Sequence, residues 1–429
     1  MKSCFRLTCF IFFLISLYIP VQAQSFILKQ THENGVYKSN EKFRVTLVLK
    51  QKSDDSLSVK VWKNNDQIIY KKTILPDQDS LVIFESAYKE PCSVMLEARQ
   101  KGSKKLLGLV VSPNKLKPGS PYPKDLEAFW DLEKLALNAL RMEVKTKTMV
   151  LKDLGYECQD IEINCTGPKP ARGYFAKPSG AKVRSLPIVL LVKAAGVKGS
   201  WCRSEVSNAV NYAKKGALCF DLNAHGMLNG QPEEYYSNLE TGELKDYSVQ
   251  GLEDREQFYF RGMYLRLLRT IEFLTRQPEW DGKRIIVIGE SQGGGQALAA
   301  TGLDHRVSAV VATVPAMCDW GGILAGRKGG WPQPFERKGD KEKMLDVLPY
   351  FDAAHLLKNS KATIVVEIGL VDQTCPSTSI YAAINQAKGI KIIYPVPYRE
   401  HSWPNAEQRK SWDPMVFNPK NEFVNNYLK

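Results

Sequence analysis

The sequence predicts an α/β domain with a mostly parallel sheet covered on both faces, preceded by a small all-β sandwich. Residues 124–429 alternate nearly continuous apolar runs of strand length with helical patterns, which is typical of parallel strands covered by helices. Residues 24–111 instead show short alternating runs separated by polar turns, which is typical of a sandwich. The length of 429 residues also favours more than one domain.

The first residues predict a targeting segment. Lys2 and Arg6 precede a mostly apolar stretch over 7–19, and small residues follow up to Ala23. This order is typical of a secretory signal peptide, here residues 1–23 with cleavage after Ala23. The apolar stretch is shorter than the roughly 20 residues of a membrane-spanning helix, and an uncleaved anchor is the alternative. We therefore predict an exported protein, periplasmic or extracellular, with no membrane span in the mature chain.

Composition excludes several classes of protein. Hydrophobic residues make up 44% of the chain and charged residues 24%, which is typical of globular proteins and excludes disordered and collagen-like chains. The 59 Lys and Arg exceed the 46 Asp and Glu by 13, and the excess is spread along the chain. Since no basic block occurs, contact with an anionic surface is allowed but no nucleic-acid partner is predicted.

The cysteines give no sign of a metal centre. The nine cysteines less Cys4 and Cys9 leave seven in the mature chain, and none forms a C-x-x-C pair. We therefore expect no zinc site, and neither a metal nor a cofactor. Cys158 and Cys165 either pair across a hairpin or stay as buried thiols.

The two predicted domains are divided by a proline-rich linker over residues 112–123. In the sandwich, strands are predicted over 43–49, 56–62, 68–73, 80–84, 93–98 and 105–111. In the α/β domain, residues 124–429, strands are predicted over 188–192, 217–222, 284–288, 307–314, 362–368 and 390–395, with a helix over 256–276.

One motif in the sequence indicates a catalytic residue. Gly289-Glu290-Ser291-Gln292-Gly293 directly follows a predicted strand and precedes a helical pattern. In that context G-x-S-x-G predicts a nucleophile elbow, in which a serine sits on a strained turn and the glycines avoid clashes. The α/β domain is therefore predicted to have the α/β-hydrolase fold, with Ser291 as the nucleophile.

The acid and base partners follow from chain order, which in this fold is serine, acid, histidine. Asp372 follows the strand over 362–368, and His401 is the only histidine that comes after it. Both residues follow strands, at the sheet edge where α/β folds place ligands. We predict a triad of Ser291, Asp372 and His401.

A tetrahedral intermediate also needs two backbone N–H donors. The first is predicted from Gln292, the residue after the nucleophile. The second is predicted from the loop after strand 188–192, which begins Lys193-Ala194-Ala195-Gly196. Ala195 or Gly196 is the candidate there.

Residues 120–405 resemble the acetyl xylan esterase and cephalosporin-C deacetylase family, which is carbohydrate esterase family seven. The resemblance runs through Ser291-Gln292-Gly293-Gly294-Gly295, the segments 121–130, 256–269, 315–319 and 369–376, and His401. It implies O-deacetylation of a carbohydrate by the triad, and assembly into homo-oligomers that the extra β-sandwich could change.

Three departures mark the chain as a divergent member. The family usually has Arg-Gly-Gln where this chain has the stretch 223–227, and His-Gly-Tyr where it has Lys193-Ala194-Ala195. The family motif also usually ends in a His-Glu pair, whereas here Glu400 precedes His401 and Ser402 follows it. The departures leave the triad intact and concern the substrate pocket and the assembly.

Several residues are predicted near the substrate. His225 follows a strand end and either lines the pocket or orders its loop by hydrogen bonding. Gly196 is a second pocket candidate. Four tryptophans in predicted loops either offer aromatic faces for sugar stacking or pack internally: Trp201, Trp320, Trp331 and Trp403. Of these, Trp320 is the candidate for substrate binding.

The predicted function is that of an exported serine esterase that removes O-acetyl groups from acetylated sugars. Two alternatives stay open: another acyl hydrolase on the same fold, such as a peptidase or an esterase for a different acyl group, and a non-catalytic carbohydrate-binding protein on a hydrolase scaffold.

Overall fold

The structure, a computed structural model, describes residues 26–50 and 55–429. The predicted signal peptide, residues 1–23, lies outside the described residues. Within the described part, no helix combines the length and the apolar character that crossing a membrane requires.

The N-terminal region is a β-sandwich, as predicted. Its two sheets have the strand orders β1-β3-β6 and β2-β8-β7-β4-β5. Alternate residues point inward, such as Val45 and Leu47 from one sheet and Val59 and Val61 from the other, and they share one hydrophobic core. The sequence missed β1 and the two-residue β2. The strands are β1 Phe26–Gln30, β2 Val36–Tyr37, β3 Phe43–Leu49, β4 Leu57–Lys63, β5 Gln67–Ile74, β6 Ser80–Ser86, β7 Cys92–Gln100 and β8 Ser103–Val111.

The α/β region is built on a nine-stranded sheet in the order β17-β16-β15-β14-β12-β13-β11-β10-β9. The strands from β17 to β13 are parallel, and β11, β10 and β9 extend the sheet antiparallel. The six predicted strands belong to the parallel part. The strands are β9 Val144–Thr148, β10 Tyr156–Ile163, β11 Ala171–Pro178, β12 Leu186–Val192, β13 Leu218–Asn223, β14 Trp280–Glu290, β15 Ala309–Thr313, β16 Thr363–Gly369 and β17 Lys391–Val396.

The three antiparallel strands were not predicted from the sequence, and for β9 its exposure gives the reason. All five residues of β9, Val-Lys-Thr-Lys-Thr, are exposed, so they show no apolar run. The parallel strands are buried on both faces, as β16 is over Ile364–Gly369, which makes them recognisable as apolar runs.

Helices cover the sheet, and most of the apolar core lies between them and the strands. Helix α4 matches the predicted helix over 256–276. Helix α5 follows the elbow and packs against β14 and β15. The helices are α1 Leu126–Ala139, α2 Val206–Ala213, α3 Glu233–Thr241, α4 Tyr259–Thr275, α5 Gln292–Leu303, α6 Lys341–Val347, α7 Ala353–Leu356, α8 Ser377–Ile384, α9 Ala406–Trp412 and α10 Asn418–Leu428.

The cysteines of the described residues are all free thiols. The hairpin disulfide considered for Cys158 and Cys165 does not form: Cys158 lies in β10 with its side chain buried, and Cys165 follows that strand. Burial raises the pKa of the Cys158 thiol to about 11, so this thiol is held in its unreactive protonated form.

Candidate active site

Ser291 occupies a sharp turn between β14 and α5. Its backbone has φ 54° and ψ −121°, a conformation that costs a non-glycine residue free energy and is found mostly at functional sites. The flanking glycines are required by close approach. A Cβ on Gly289 would lie 2.3 Å from the carbonyl carbon of Gly293, and one on Gly293 would lie 2.4 Å from the Val192 oxygen.

A hydrogen-bonded chain joins the three predicted triad residues. His401 Nε2 lies 2.9 Å from Ser291 Oγ, and His401 Nδ1 lies 2.8 Å from Asp372 Oδ2. The other carboxylate oxygen of Asp372 accepts hydrogen bonds from the N–H groups of Thr374 and Cys375, at 2.8 and 2.9 Å. The carboxylate is fully buried, so its orientation toward His401 is fixed on both sides.

The sheet topology explains why residues so distant in sequence meet here. Ser291 follows β14, Asp372 follows β16 and His401 follows β17, and these strands run parallel. The loops at their carboxyl ends therefore lie at one edge of the sheet, where α/β folds place ligands.

Two backbone N–H groups are placed at the same edge. Gln292 is the first residue of α5, so its N–H has no acceptor within the helix, and the helix dipole favours negative charge there. Among the described residues, the N–H of Ala195 has no hydrogen-bond partner, whereas that of Gly196 lies 3.3 Å from the hydroxyl of Tyr247. Of the two candidates for the second donor, Ala195 is thus the one with a free N–H.

Tyr247 is a site residue that the sequence did not predict. Its hydroxyl donates to Gln292 Oε1 over 2.6 Å and accepts the Gly196 N–H. It therefore bridges the residue after the nucleophile and the loop after β12. No local pattern marks Tyr247, which lies in a short 3-10 turn, Tyr247–Val249.

Comparison with known proteins identifies the family of this chain. The family model described as acetyl xylan esterase (AXE1) matches residues 111–413. The chain belongs to the acetyl xylan esterase family. A curated relative, the acetyl esterase Axe7A of Xylanibacter ruminicola, is 30% identical over 302 residues, 69% of this chain and 67% of that protein. As a member of this family, the chain described here is a carboxylic ester hydrolase.

Solved structures show the same fold. An acetyl xylan esterase from Paenibacillus sp. R4 superposes with a TM-score of 0.59 at 23% identity, covering 74% of this chain and 98% of that chain. Acetyl xylan esterase 1 from Thermoanaerobacterium gives a TM-score of 0.60 at 20% identity over the same shares. The α/β-hydrolase fold predicted for this esterase is thus confirmed.

His225 is buried in the esterase, with 1% of its surface exposed. Its Nε2 lies 2.9 Å from the Gly196 carbonyl oxygen and its Nδ1 lies 2.6 Å from the Tyr259 hydroxyl. The carbonyl can only accept, so Nε2 carries the proton and Nδ1 accepts from Tyr259. Burial lowers the pKa of His225 to about 3. Of its two predicted roles, ordering the loop fits and lining the pocket does not.

Gly196 has a similar supporting position in the esterase. Its backbone has φ 125°, in the region that favours glycine. Its N–H faces Tyr247 and its carbonyl faces His225. Both backbone groups are used within the protein, so direct binding of substrate by Gly196 does not fit this arrangement.

The tryptophans divide by exposure. Trp320, predicted to stack on a sugar, is 1% exposed. Its indole donates to the Trp331 carbonyl over 3.0 Å and packs against Phe258 and Phe260. The stacking prediction for Trp320 is therefore wrong, because its faces are covered by the core. Trp331 is partly buried, whereas Trp201 and Trp403 are 65% and 54% exposed.

Trp201 stands beside the loop after β12, which contains the predicted oxyanion donor Ala195. Its indole N–H donates to the Ala195 carbonyl over 3.0 Å. Its ring lies against Gly199, where a Cβ would come within 2.5 Å of ring atoms. The indole is thus held by a hydrogen bond and by the backbone on one side while most of its surface stays open.

A buried charge cluster lies behind the elbow. Arg399, two residues before His401, is 1% exposed and contacts Glu290 at 3.4 Å and Glu367 at 3.3 Å. It also donates to the Ser402 carbonyl. Lys420 pairs with Glu367 from α10. Burial raises the pKa of Glu290 while Arg399 lowers it. The cluster joins the elbow to the loop that carries His401, and sequence reasoning missed it.

The departure from the family pattern in the loop after β12 has a structural explanation. Where the family usually has histidine, Lys193 lies buried with its ammonium 2.6 Å from Asp221. Asp221 also accepts from the Glu205 N–H and the Asn208 side chain. Lys193 therefore anchors the loop at its first residue, and the Ala195 N–H stays available.

One group of metal-ligating side chains occurs among the described residues: Asp372, Cys375 and His401, whose ligand atoms lie within 4.8 Å of one another. Both ring nitrogens of His401 already lie within hydrogen-bonding distance of Asp372 and Ser291. A metal at this position would have to displace those bonds.

Proposed function

We propose that this protein is an exported serine carbohydrate esterase that removes O-acetyl groups from acetylated sugars. The observation that carries the proposal is the hydrogen-bonded chain from Ser291 through His401 to Asp372, on a strained elbow in a chain of the acetyl xylan esterase family. The acetyl xylan esterases among its structural neighbours support an acetylated carbohydrate as the substrate class.

The proposed reaction begins with attack of Ser291 Oγ on the acetyl carbonyl carbon. His401 Nε2 takes the serine proton, and Asp372 holds the imidazole orientation and stabilises the imidazolium. The carbonyl oxygen becomes an oxyanion that accepts from the Gln292 and Ala195 N–H groups.

The intermediate then collapses with cleavage of the ester bond. His401 gives its proton to the departing sugar hydroxyl, which leaves an acetyl group on Ser291. His401 next removes a proton from water, the hydroxide attacks the acetyl carbonyl, and acetate leaves as the proton returns to Ser291. The free enzyme is regenerated, and no cofactor takes part in the steps we propose.

We place the sugar on the side of Trp201. A deacetylase must hold a small acyl group and admit a large alcohol, and the open indole beside the Ala195 carbonyl offers a flat apolar face for a sugar ring. Export through the signal peptide over 1–23 and assembly into homo-oligomers are part of the same proposal. N-terminal sequencing of secreted protein should begin at Gln24.

The test is acetate release from acetylated xylo-oligosaccharides by the mature protein beside its Ser291→Ala variant. Loss of release in the variant, with an unchanged circular dichroism spectrum, would support the serine deacetylase. Cleavage of simple acetates by the wild type without release from the oligosaccharides would keep the serine mechanism and reject xylan as the substrate.

An acyl-length series separates the deacetylase from the rival acyl hydrolases. A deacetylase should lose activity steeply on going from acetyl to butyryl esters, whereas a peptidase should cleave amides of amino acids. A fluorophosphonate probe tests the second alternative, because a non-catalytic binding protein would leave Ser291 unlabelled.

A further inference from the structure

We propose that the N-terminal β-sandwich positions the catalytic acid and base, with Asn65 as the residue that holds Asp372. The proposal rests on the function proposed for the triad. It concerns a region that lies almost entirely outside the family match, which begins at residue 111.

The tip of the β4–β5 hairpin docks on the α/β domain. Asn64 and Asn65, in the three-residue loop between the two strands, both have positive φ, 56° and 57°, a conformation that asparagine tolerates. The Asn64 carbonyl accepts the Lys328 N–H over 3.2 Å, and the Asn64 side chain donates to the Gly326 carbonyl over 3.3 Å. The turn is therefore fixed to the loop after the 3-10 helix Trp320–Ala325.

Asn65 extends this contact to the catalytic acid itself. Its Nδ2 donates to the backbone carbonyl of Asp372 over 2.7 Å. The carbonyl can only accept, which fixes the amide with its nitrogen toward Asp372. The neighbouring Gln373 side chain lies 3.7 Å from the sulfur of Met95 in β7. Asp372 and Gln373 are thus both in contact with the sandwich.

A second contact reaches the loop that carries His401. The Gly108 N–H in β8 donates to the Pro397 carbonyl over 2.7 Å, and Lys104 lies 3.7 Å from Glu400, the residue before His401. A Cβ on Gly108 would lie 2.3 Å from the Leu370 oxygen. The backbones of the two domains therefore touch in the segments that precede the acid and the base.

Strand β8 contributes side chains to the hydrophobic cores of both domains. Its residues Leu107–Val111 are buried, and successive side chains point to opposite faces. Leu107, Leu109 and Val111 belong to the core of the sandwich, whereas Val110 belongs to the core of the α/β domain. A strand buried on both faces does not detach without exposing apolar surface.

The consequence for catalysis is geometric. Asp372 and His401 lie on separate loops, and their 2.8 Å hydrogen bond depends on the relative position of those loops. The sandwich touches both, so it acts as a common support. Displacements near 1 Å can lower rates by about 100-fold, so loss of one anchor should be measurable.

The test is the full chain with Asn65→Asp, which keeps the size and the tolerance for positive φ but places a carboxylate against the Asp372 carbonyl. Asn65→Gly removes the side chain and keeps the turn. We expect kcat to fall about tenfold in both with a smaller change in KM. Asn40→Gly is the matched control, an exposed sandwich asparagine with φ 60°.

The readouts distinguish a failure of the positioning proposal from a failure of the proposed substrate. Rates are measured with ethyl acetate and as labelling of Ser291 by a fluorophosphonate, so that no sugar is needed. Folded Asn65 variants with unchanged kcat and an unchanged labelling rate would overturn the positioning role. Wild-type labelling without release from acetylated sugars would reject only the substrate, and a wild type inert in every assay would overturn both.

Discussion

The hydroxyl of Tyr247 lies 2.6 Å from Oε1 of Gln292 and 3.3 Å from the backbone nitrogen of Gly196. Gln292 and the loop of Ala195 and Gly196 are the sources of the two proposed oxyanion donors. One buried phenol therefore sets the separation between the two halves of the proposed oxyanion hole.

Tyr247→Phe should lower kcat about tenfold, or ~1.4 kcal/mol of transition-state stabilisation, with little change in KM. The ring stays in place, and only the bond between the two loops is lost. Steady-state kinetics with ethyl acetate measures the effect. Tyr235→Phe is the control, because it removes a hydroxyl that accepts the Leu228 N–H. An equal loss in both variants would contradict the prediction.

Asp372→Asn should lower kcat by roughly 10,000-fold. The Thr374 and Cys375 N–H groups donate to one side-chain oxygen, so the amide oxygen of asparagine must stay there. Its NH₂ then faces His401 Nδ1, which puts the ring proton on Nε2 and leaves nothing to accept the Ser291 proton.

The Asp372→Asn rate is measured as acetate release, with thermal denaturation to check folding. The exposed Asp131, paired with Lys134, provides the control Asp131→Asn. An Asp372→Asn variant within tenfold of the wild type would show that the carboxylate is not the catalytic acid.

His225 should make the esterase less stable in acid. Its folded pKa of about 3 lies below the ordinary value of 6.5, so the unfolded chain takes up a proton that the folded protein does not. The stability contributed by neutral His225 is complete above pH 6.5 and is lost as pH falls from 6.5 toward 3, by about 2 kcal/mol at pH 5.

His225→Gln removes this titration and keeps a donor for Gly196 and an acceptor for Tyr259. Urea unfolding at pH 7 and pH 5 should show a loss of stability that is about 2 kcal/mol smaller in the variant than in the wild type. The variant and the wild type share all other titratable groups, so the contributions of those groups to the pH dependence cancel in the comparison. One of them is Asp352, because burial raises its pKa to about 7. Equal losses would contradict the prediction.

Trp201→Ala should change substrate preference. We expect the ratio of kcat/KM for acetylated xylo-oligosaccharides to that for ethyl acetate to fall about tenfold, since stacking contributes up to ~1.5 kcal/mol. Trp201→Phe keeps an aromatic face without the N–H that holds Ala195, and should retain most of the ratio. A proportional loss on both substrates in both variants would show instead that Trp201 only positions the loop.

The sequence by itself determined the fold of the α/β domain and the three residues of the proposed triad. Parallel strands buried on both faces appear as apolar runs, and G-x-S-x-G between a strand and a helix has a specific local geometry. Chain order then left His401 as the only histidine after Asp372. These inferences depend on local patterns and order, which the sequence contains directly, whereas β9 has no apolar run and was missed.

The tertiary structure alone decided which side chains support the site. Tyr247 meets Gln292 across 45 residues and Asn65 meets Asp372 across 307, and no local pattern encodes such distant contacts. Exposure was decided there too: Trp201 is open and Trp320 is covered, although both were predicted in loops. Burial depends on which elements pack over a residue, and only the folded arrangement of the chain fixes that.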